Sequence, residues 1–104
     1  MDNFKVIYKI LKYLETAMDY DEVDTSRLSA EALNVSENRR IGILEMLVKE
    51  GYVDGVGVTR SMDGNVLLSM NAPRITLKGL EYLQENSIMT KAARTAKGIV
   101  EIVK

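Results

Sequence analysis

At 104 residues, with 46% apolar and 28% charged side chains and a formal net charge of −1, the chain has the size and make-up of one globular domain. It holds no cysteine and no histidine, which removes disulfide frameworks, the common zinc ligands, cysteine nucleophiles and the usual general base near neutral pH. An enzyme is therefore not expected, and neither is a metal or a cofactor, because the chain also lacks a phosphate-cradling glycine loop.

Lysines at positions 5, 9 and 12 interrupt the apolar residues that follow the amino terminus, and no window is long enough to span a bilayer. A cytoplasmic protein with no membrane partner is expected. Charge is unevenly spread: residues 1–51 carry seven Lys/Arg against ten Asp/Glu, and residues 52–104 carry seven against five. Any basic face for nucleic acid must then be local and modest.

In chain order, Phe4, Ile7, Tyr8, Leu11, Leu14 and Met18 recur at steps of three and four and predict a first helix. Val6, Ile10, Tyr13 and Ala17 add a second apolar row, leaving Lys5, Lys9 and Lys12 as the wet stripe. Asp19, Asp21, Glu22 and Asp24 form an acidic break. It is not a calcium loop, since Asp24 stands where glycine is needed and Ala30 where the closing glutamate is needed; a solvated linker is expected instead.

Ser29 is suited to cap a short helix through Leu33, with Leu28, Ala32 and Leu33 facing inward; Asn34 and Val35 turn the chain; and Ser36 caps a third helix with Glu37 in its first turn. That helix should run to Lys49 or Glu50 with Ile43, Leu44 and Leu47 buried, and stop at a left-handed Gly51 with Tyr52 folding back. The period then changes to alternation. A three-residue loop, Met62-Asp63-Gly64, sets Val58 against Leu68 and Val56 against Met70 and keeps one face apolar, with Gly64 left-handed in a bulge. Asn71-Ala72-Pro73 is expected to end the second strand, and Thr76 to cap a fourth helix with Leu77, Leu80 and Leu83 along it. Asn86-Ser87 closes this helix, and Thr90 opens a fifth carrying Ala93, Ala96, Ile99, Val100 and Val103 beside Lys91, Arg94 and Lys97.

The order gives an α+β fold: a winged helix-turn-helix of three helices and a two-stranded β-hairpin wing, with two additional C-terminal helices. Residues 1–86 form the main unit. Residues 87–104 are expected to pack on the first helix or to mediate a homodimer through the first and C-terminal helices.

The run Leu44-x-x-Leu47-x-x-x-Gly51-Tyr52-Val53, the run Ile75-Thr76-Leu77-Lys78-Gly79-Leu80-Glu81-Tyr82-Leu83-Gln84-Glu85-Asn86 and the Lys/Ala-rich end resemble the YjcQ-like family of small bacterial and prophage proteins over nearly the whole chain. A glycine-tyrosine helix stop followed by a Thr-x-Lys-Gly-x-x-Tyr-Leu helix also recurs in winged-helix regulators similar to the PadR and MarR groups. The resemblance implies a winged-helix fold and a bacterial or phage origin. One departure is Arg40, which stands seven positions before the last core leucine, where an apolar residue is usual. Either Arg40 snorkels from the core edge, or the helix is rotated so that Ile41 and Val48 replace it.

In such a fold the third helix, residues 36–50, enters the major groove of double-stranded DNA, presenting Asn38, Arg39, Arg40, Gly42 and Lys49 with Met46 at the margin, while Arg60 and Asn65 sit on the wing. Asparagine pairs with adenine, arginine with guanine, and Gly42 admits a close approach. A DNA-binding transcriptional regulator is the leading reading. Glu45 among these residues, Glu37 and Glu50 beside them, Asp63 at the hairpin tip and a pI near 5.5 support the alternative, a winged-helix protein interaction module that binds no nucleic acid. Gly42 fits either reading, because a glycine inside a helix costs about 1 kcal/mol relative to alanine and asks for a close neighbour.

Overall fold

The computed structural model describes residues 3–86. The fifth helix expected from Thr90 onward, and its packing, lie outside the described residues. Among the described residues, four α-helices and one antiparallel hairpin make an α+β fold: α1 (Asn3–Ala17), α2 (Ala30–Leu33), α3 (Glu37–Lys49), β1 (Val53–Arg60), β2 (Val66–Ile75) and α4 over residues 77–86. Among the described residues no helix is long and apolar enough to cross a membrane.

The core gathers one face of each element. Ile10, Leu11 and Leu14 of α1 meet Leu28 and Leu33 of the second segment, Ile43, Leu44 and Leu47 of α3, Val53, Val56 and Ile75 at the hairpin base, and Leu83 of α4. Ile10, Leu11, Leu28 and Leu44 are fully excluded from water, each such side chain adding about 1.5–3 kcal/mol over an exposed one. The apolar rows of α1 are shared differently from expectation. Its buried arc is centred between them on Val6, Ile10, Leu11, Leu14 and Ala17, whereas Phe4 is 69% exposed and Met18 60% exposed. Phe4 falls at the edge of that arc, and Met18 lies beyond the helix end. In α4, Leu77 is likewise exposed while Leu83 is buried and Leu80 half-buried, because steps of three drift off a period of 3.6.

The expected caps form. Ser29 Oγ accepts from Ala32 N at 3.1 Å and Ser36 Oγ from Arg39 N at 3.1 Å, with Asn34 left-handed between the two helices (φ 58°). At the end of α3, Tyr52 N donates to Leu47 O at 2.9 Å and Gly51 N to Val48 O at 3.1 Å, with Gly51 at φ 83°; this is the paired closure that satisfies orphan carbonyls at a helix end. The acidic break is more ordered than a plain linker. Asp24 accepts from Ser26 N and Ser26 Oγ and caps a 3-10 turn, Thr25–Leu28, which drops Leu28 into the core.

In the hairpin, Val58 pairs with Leu68 and Val56 with Met70, and the loop 62–64 ends on Gly64 at φ 90°. The end of the second strand departs from expectation. Pro73 does not stop it: the ladder resumes beyond a bulge, pairing Asp54 with Arg74 and Val53 with Ile75. Both strands of a two-stranded sheet are edges, so a missing proline donor leaves no partner unsatisfied, and Pro73 is itself fully buried. Gly55 makes the bulge possible. It sits at φ +79°, and a Cβ there would lie 2.0 Å from Ala72 O.

α4 locks the end of α3. Thr76 N donates to Tyr52 O at 3.1 Å, Thr76 Oγ1 to Gly51 O at 2.5 Å and Lys78 Nζ to Glu50 O at 2.8 Å. Thr76 Oγ1 also accepts from Gly79 N at 3.1 Å, capping α4 as expected. The Lys78 ammonium stands 5.2 Å from the centre of the Tyr52 ring, which meets Tyr82 edge-on at 5.4 Å. A cation beside the last carbonyls of a helix also opposes its negative dipole end.

Candidate nucleic-acid interface

Asn38, Gly42, Glu45 and Lys49 follow one another at steps of four, three and four, so they form a single stripe on α3. The stripe lies opposite Ile43, Leu44 and Leu47. Asn38 and Lys49 are exposed, and Met46 beside them is 50% exposed. Gly42 is the gap in the stripe: a Cβ built on it meets nothing within 4 Å. Intrachain packing among the described residues therefore gives no reason for glycine in the middle of this helix.

Arg39 flanks the stripe, exposed, with its Nη1 donating to Asn3 Oδ1 at 2.5 Å. That partner is neutral, so the guanidinium charge is not cancelled. Arg40 is the candidate the structure does not place on the open face. Its side chain is only 17% exposed, with Nε donating to Leu28 O at 2.6 Å and Nη1 to Glu37 Oε2 at 2.9 Å. Of the two alternatives for this position, the core-edge placement is the one found: the stem packs inward, and the head supplies a partner to a carbonyl at the end of the 3-10 turn.

Beyond the core packing of Val53 and Val56, one ion pair among the described residues joins the hairpin to α3. Arg60 Nη2 lies 2.6 Å from Glu45 Oε2, with the Glu45 side chain 20% and the Arg60 side chain 61% exposed. In the sequence Glu45 reads only as an acid opposing the site. Its pairing with a residue fifteen positions later has no periodic signature and depends on the hairpin folding back beside α3. Asn65 is exposed at the hairpin tip, where its N–H and its Nδ2 both donate to the Asp63 carboxylate. The Ser61 hydroxyl also donates to Asp63. These bonds, the hydroxyl first and the Asn65 N–H second, hold the Asp63 carboxyl below its ordinary value. The structure thus brings Asn38, Arg39, Gly42 and Lys49 to one open side of α3, joins Arg60 to it through Glu45, and keeps Asn65 within the loop.

No group of three or more acidic residues among those described is arranged to hold a metal ion. The family model described as YjcQ protein matches residues 8–102. The chain belongs to the YjcQ family. It is 32% identical over 104 residues to the "Uncharacterized protein YjcQ" of Bacillus subtilis (strain 168), covering all of both chains. No solved structure matches it. The residues by which this YjcQ chain resembles its family act together in the fold, since Gly51 and Tyr52 end α3 while Thr76, Lys78 and Gly79 fasten that end to α4.

Proposed function

We propose that this YjcQ-family protein is a winged helix-turn-helix regulator of bacterial or prophage origin, acting in the cytoplasm by binding double-stranded DNA. In this reading α2 and α3 are the helix-turn-helix, α3 enters the major groove, and the 60–65 end of the hairpin is the wing. The observation that carries it is the open stripe of α3, where Asn38 and Lys49 stand exposed in one row with a glycine that has no neighbour above it among the described residues. Asn38 has the donor and acceptor pair that matches adenine, Arg39 and Lys49 carry charge to phosphate or guanine, and Gly42 lets the helix axis come close to base edges. A homodimer through α1 and residues 87–104 would double the phosphate contacts.

A titration of duplex binding against salt tests the proposal. Affinity should fall steeply as ionic strength rises, and Arg39→Ala and Lys49→Ala should weaken it. Absence of binding at low salt ends it. A second reading draws on Met46, half exposed beside the stripe, and on the acids Glu37 and Glu50 at its flanks: α3 would then receive a protein helix against Gly42. That outcome is salt-insensitive association with protein and none with duplex.

A further inference from the structure

We infer that Glu45, held by Arg60, is a specificity-determining residue that reads a cytosine in the major groove. The inference rests on the duplex-binding reading above and turns its main objection, an acid on the DNA-facing stripe, into a function. Glu45 stands in the same row as Asn38, Gly42 and Lys49, and its side chain, turned to the hairpin, keeps 20% of its surface exposed, so a groove that receives those residues meets the open edge of its carboxylate. Alone it would be repelled by phosphate. It is not alone: the Arg60 guanidinium is bonded to Oε2 at 2.6 Å, which offsets the charge and orients the carboxylate. The other oxygen, Oε1, has no hydrogen-bond donor among the described residues.

A fixed acceptor with no donor of its own selects an exocyclic amino group. Cytosine offers N4–H2 flanked by a C–H, whereas adenine sets the N7 acceptor beside its amino group and so repels a carboxylate. Guanine and thymine offer only acceptors at that edge. Arg60 spends one of its donors on Glu45 and remains 61% exposed, so its other N–H groups reach toward the phosphate that borders the same base. The pair therefore joins wing and helix into one reader: the wing arginine takes the backbone, and the helix carboxylate takes the base.

The test is selection of duplexes from a random pool by the full chain, its Glu45→Gln and Glu45→Ala variants and Arg60→Ala, followed by titration of the winning duplex and single-base replacements of it. The wild type should select a cytosine whose replacement by thymine weakens binding about tenfold, the scale of a single mismatched pair. In Glu45→Ala the same replacement should change binding less than about twofold relative to that scale. Glu45→Gln, whose carbonyl oxygen keeps the Arg60 bond and whose amide then offers only a donor to the base, should lose the cytosine preference in favour of a base with an acceptor at that edge, guanine or thymine. Arg60→Ala should weaken every duplex, reduce the salt slope and lose the cytosine preference. An unchanged preference in both Glu45 variants overturns the inference, and so does a uniform gain of affinity in Glu45→Ala, which would make the acid merely repulsive. In both cases salt-dependent duplex binding survives, so the two readings fail separately. Only absence of binding to every duplex removes both.

Discussion

Gly42→Ala separates the folding role of α3 from its use. A glycine inside a helix is about 1 kcal/mol less favourable than alanine, through the conformational freedom it must give up. Here the new methyl meets nothing within 4 Å among the described residues, so no steric cost from them offsets the gain, and the variant should be more stable by about 1 kcal/mol. For a chain of 104 residues that corresponds to a rise of about 4 °C in Tm. Binding should move the other way. A methyl pushed into a closely packed contact costs about 1–3 kcal/mol, so affinity for duplex should drop about tenfold. Thermal and urea melts and a duplex titration on the same preparation give both quantities. A fall in Tm would mean that another part of the chain covers the stripe, and a higher Tm with unchanged affinity would mean that α3 does not approach the ligand along Gly42.

Arg40→Met keeps the packed stem but leaves Leu28 O, bonded at 2.6 Å, without its partner; chemical denaturation should show a loss of about 1–3 kcal/mol, and duplex affinity should fall only by as much as the Glu37 carboxylate, freed of its 2.9 Å partner, repels phosphate. Gly55→Ala places a Cβ 2.0 Å from Ala72 O at φ +79°, and should lower stability by about 2 kcal/mol or more, read as a lower urea midpoint; a neutral result would remove the bulge as the reason for glycine. Asp63 is held below its ordinary value by bonds to its ionised form, so its contribution is full above the unfolded carboxyl value of about 4 and is lost as pH falls through the lower folded value. An NMR titration should find its midpoint below that of an unpartnered aspartate, and Asp63→Asn should lose this part of the acid sensitivity of the hairpin.

Local chemistry was the legible part of this fold. Ser29, Ser36 and Thr76 announce helix starts because a short oxygen-bearing side chain satisfies an N–H two or three residues on, and Gly51 and Gly64 announce backbone that other residues adopt at a cost. Hairpin register was legible for a related reason: only one loop length keeps Val56, Val58, Leu68 and Met70 on a common face. Pro73 misled, because a rule about ladders in wide sheets has no force where both strands are edges. The candidate site was read less well than the fold. Arg40 carries the same charge wherever it points, and nothing in its neighbours tells that Leu28 O waits for it. Glu45 and Arg60 meet only because the hairpin returns beside α3, a relation between elements that no pattern within one element encodes.

The same pairings bear on the objection that an acidic chain is a poor ligand for phosphate. Counting residues sets Glu37, Glu45 and Glu50 against the cations of α3, but Glu37 is matched by Arg40 at 2.9 Å and Glu45 by Arg60 at 2.6 Å. What these pairs leave is Lys49, exposed, and Arg39, bonded to a neutral amide, together with the unused donors of Arg60. Glu50 remains, at the far end of the helix, where Lys78 bonds its carbonyl. The Glu45–Arg60 pair is neutral as a whole, so about two phosphates per copy can then be neutralised, and the plot of log affinity against log salt should have a slope of about −2 for one copy and about −4 for two on one duplex. The slope thus counts copies as well as contacts. Removal of Lys49 should reduce it by about one for each copy bound. A slope near zero in the wild type would show that the charge left over on α3 faces no phosphate, and the open stripe would then belong to a protein partner.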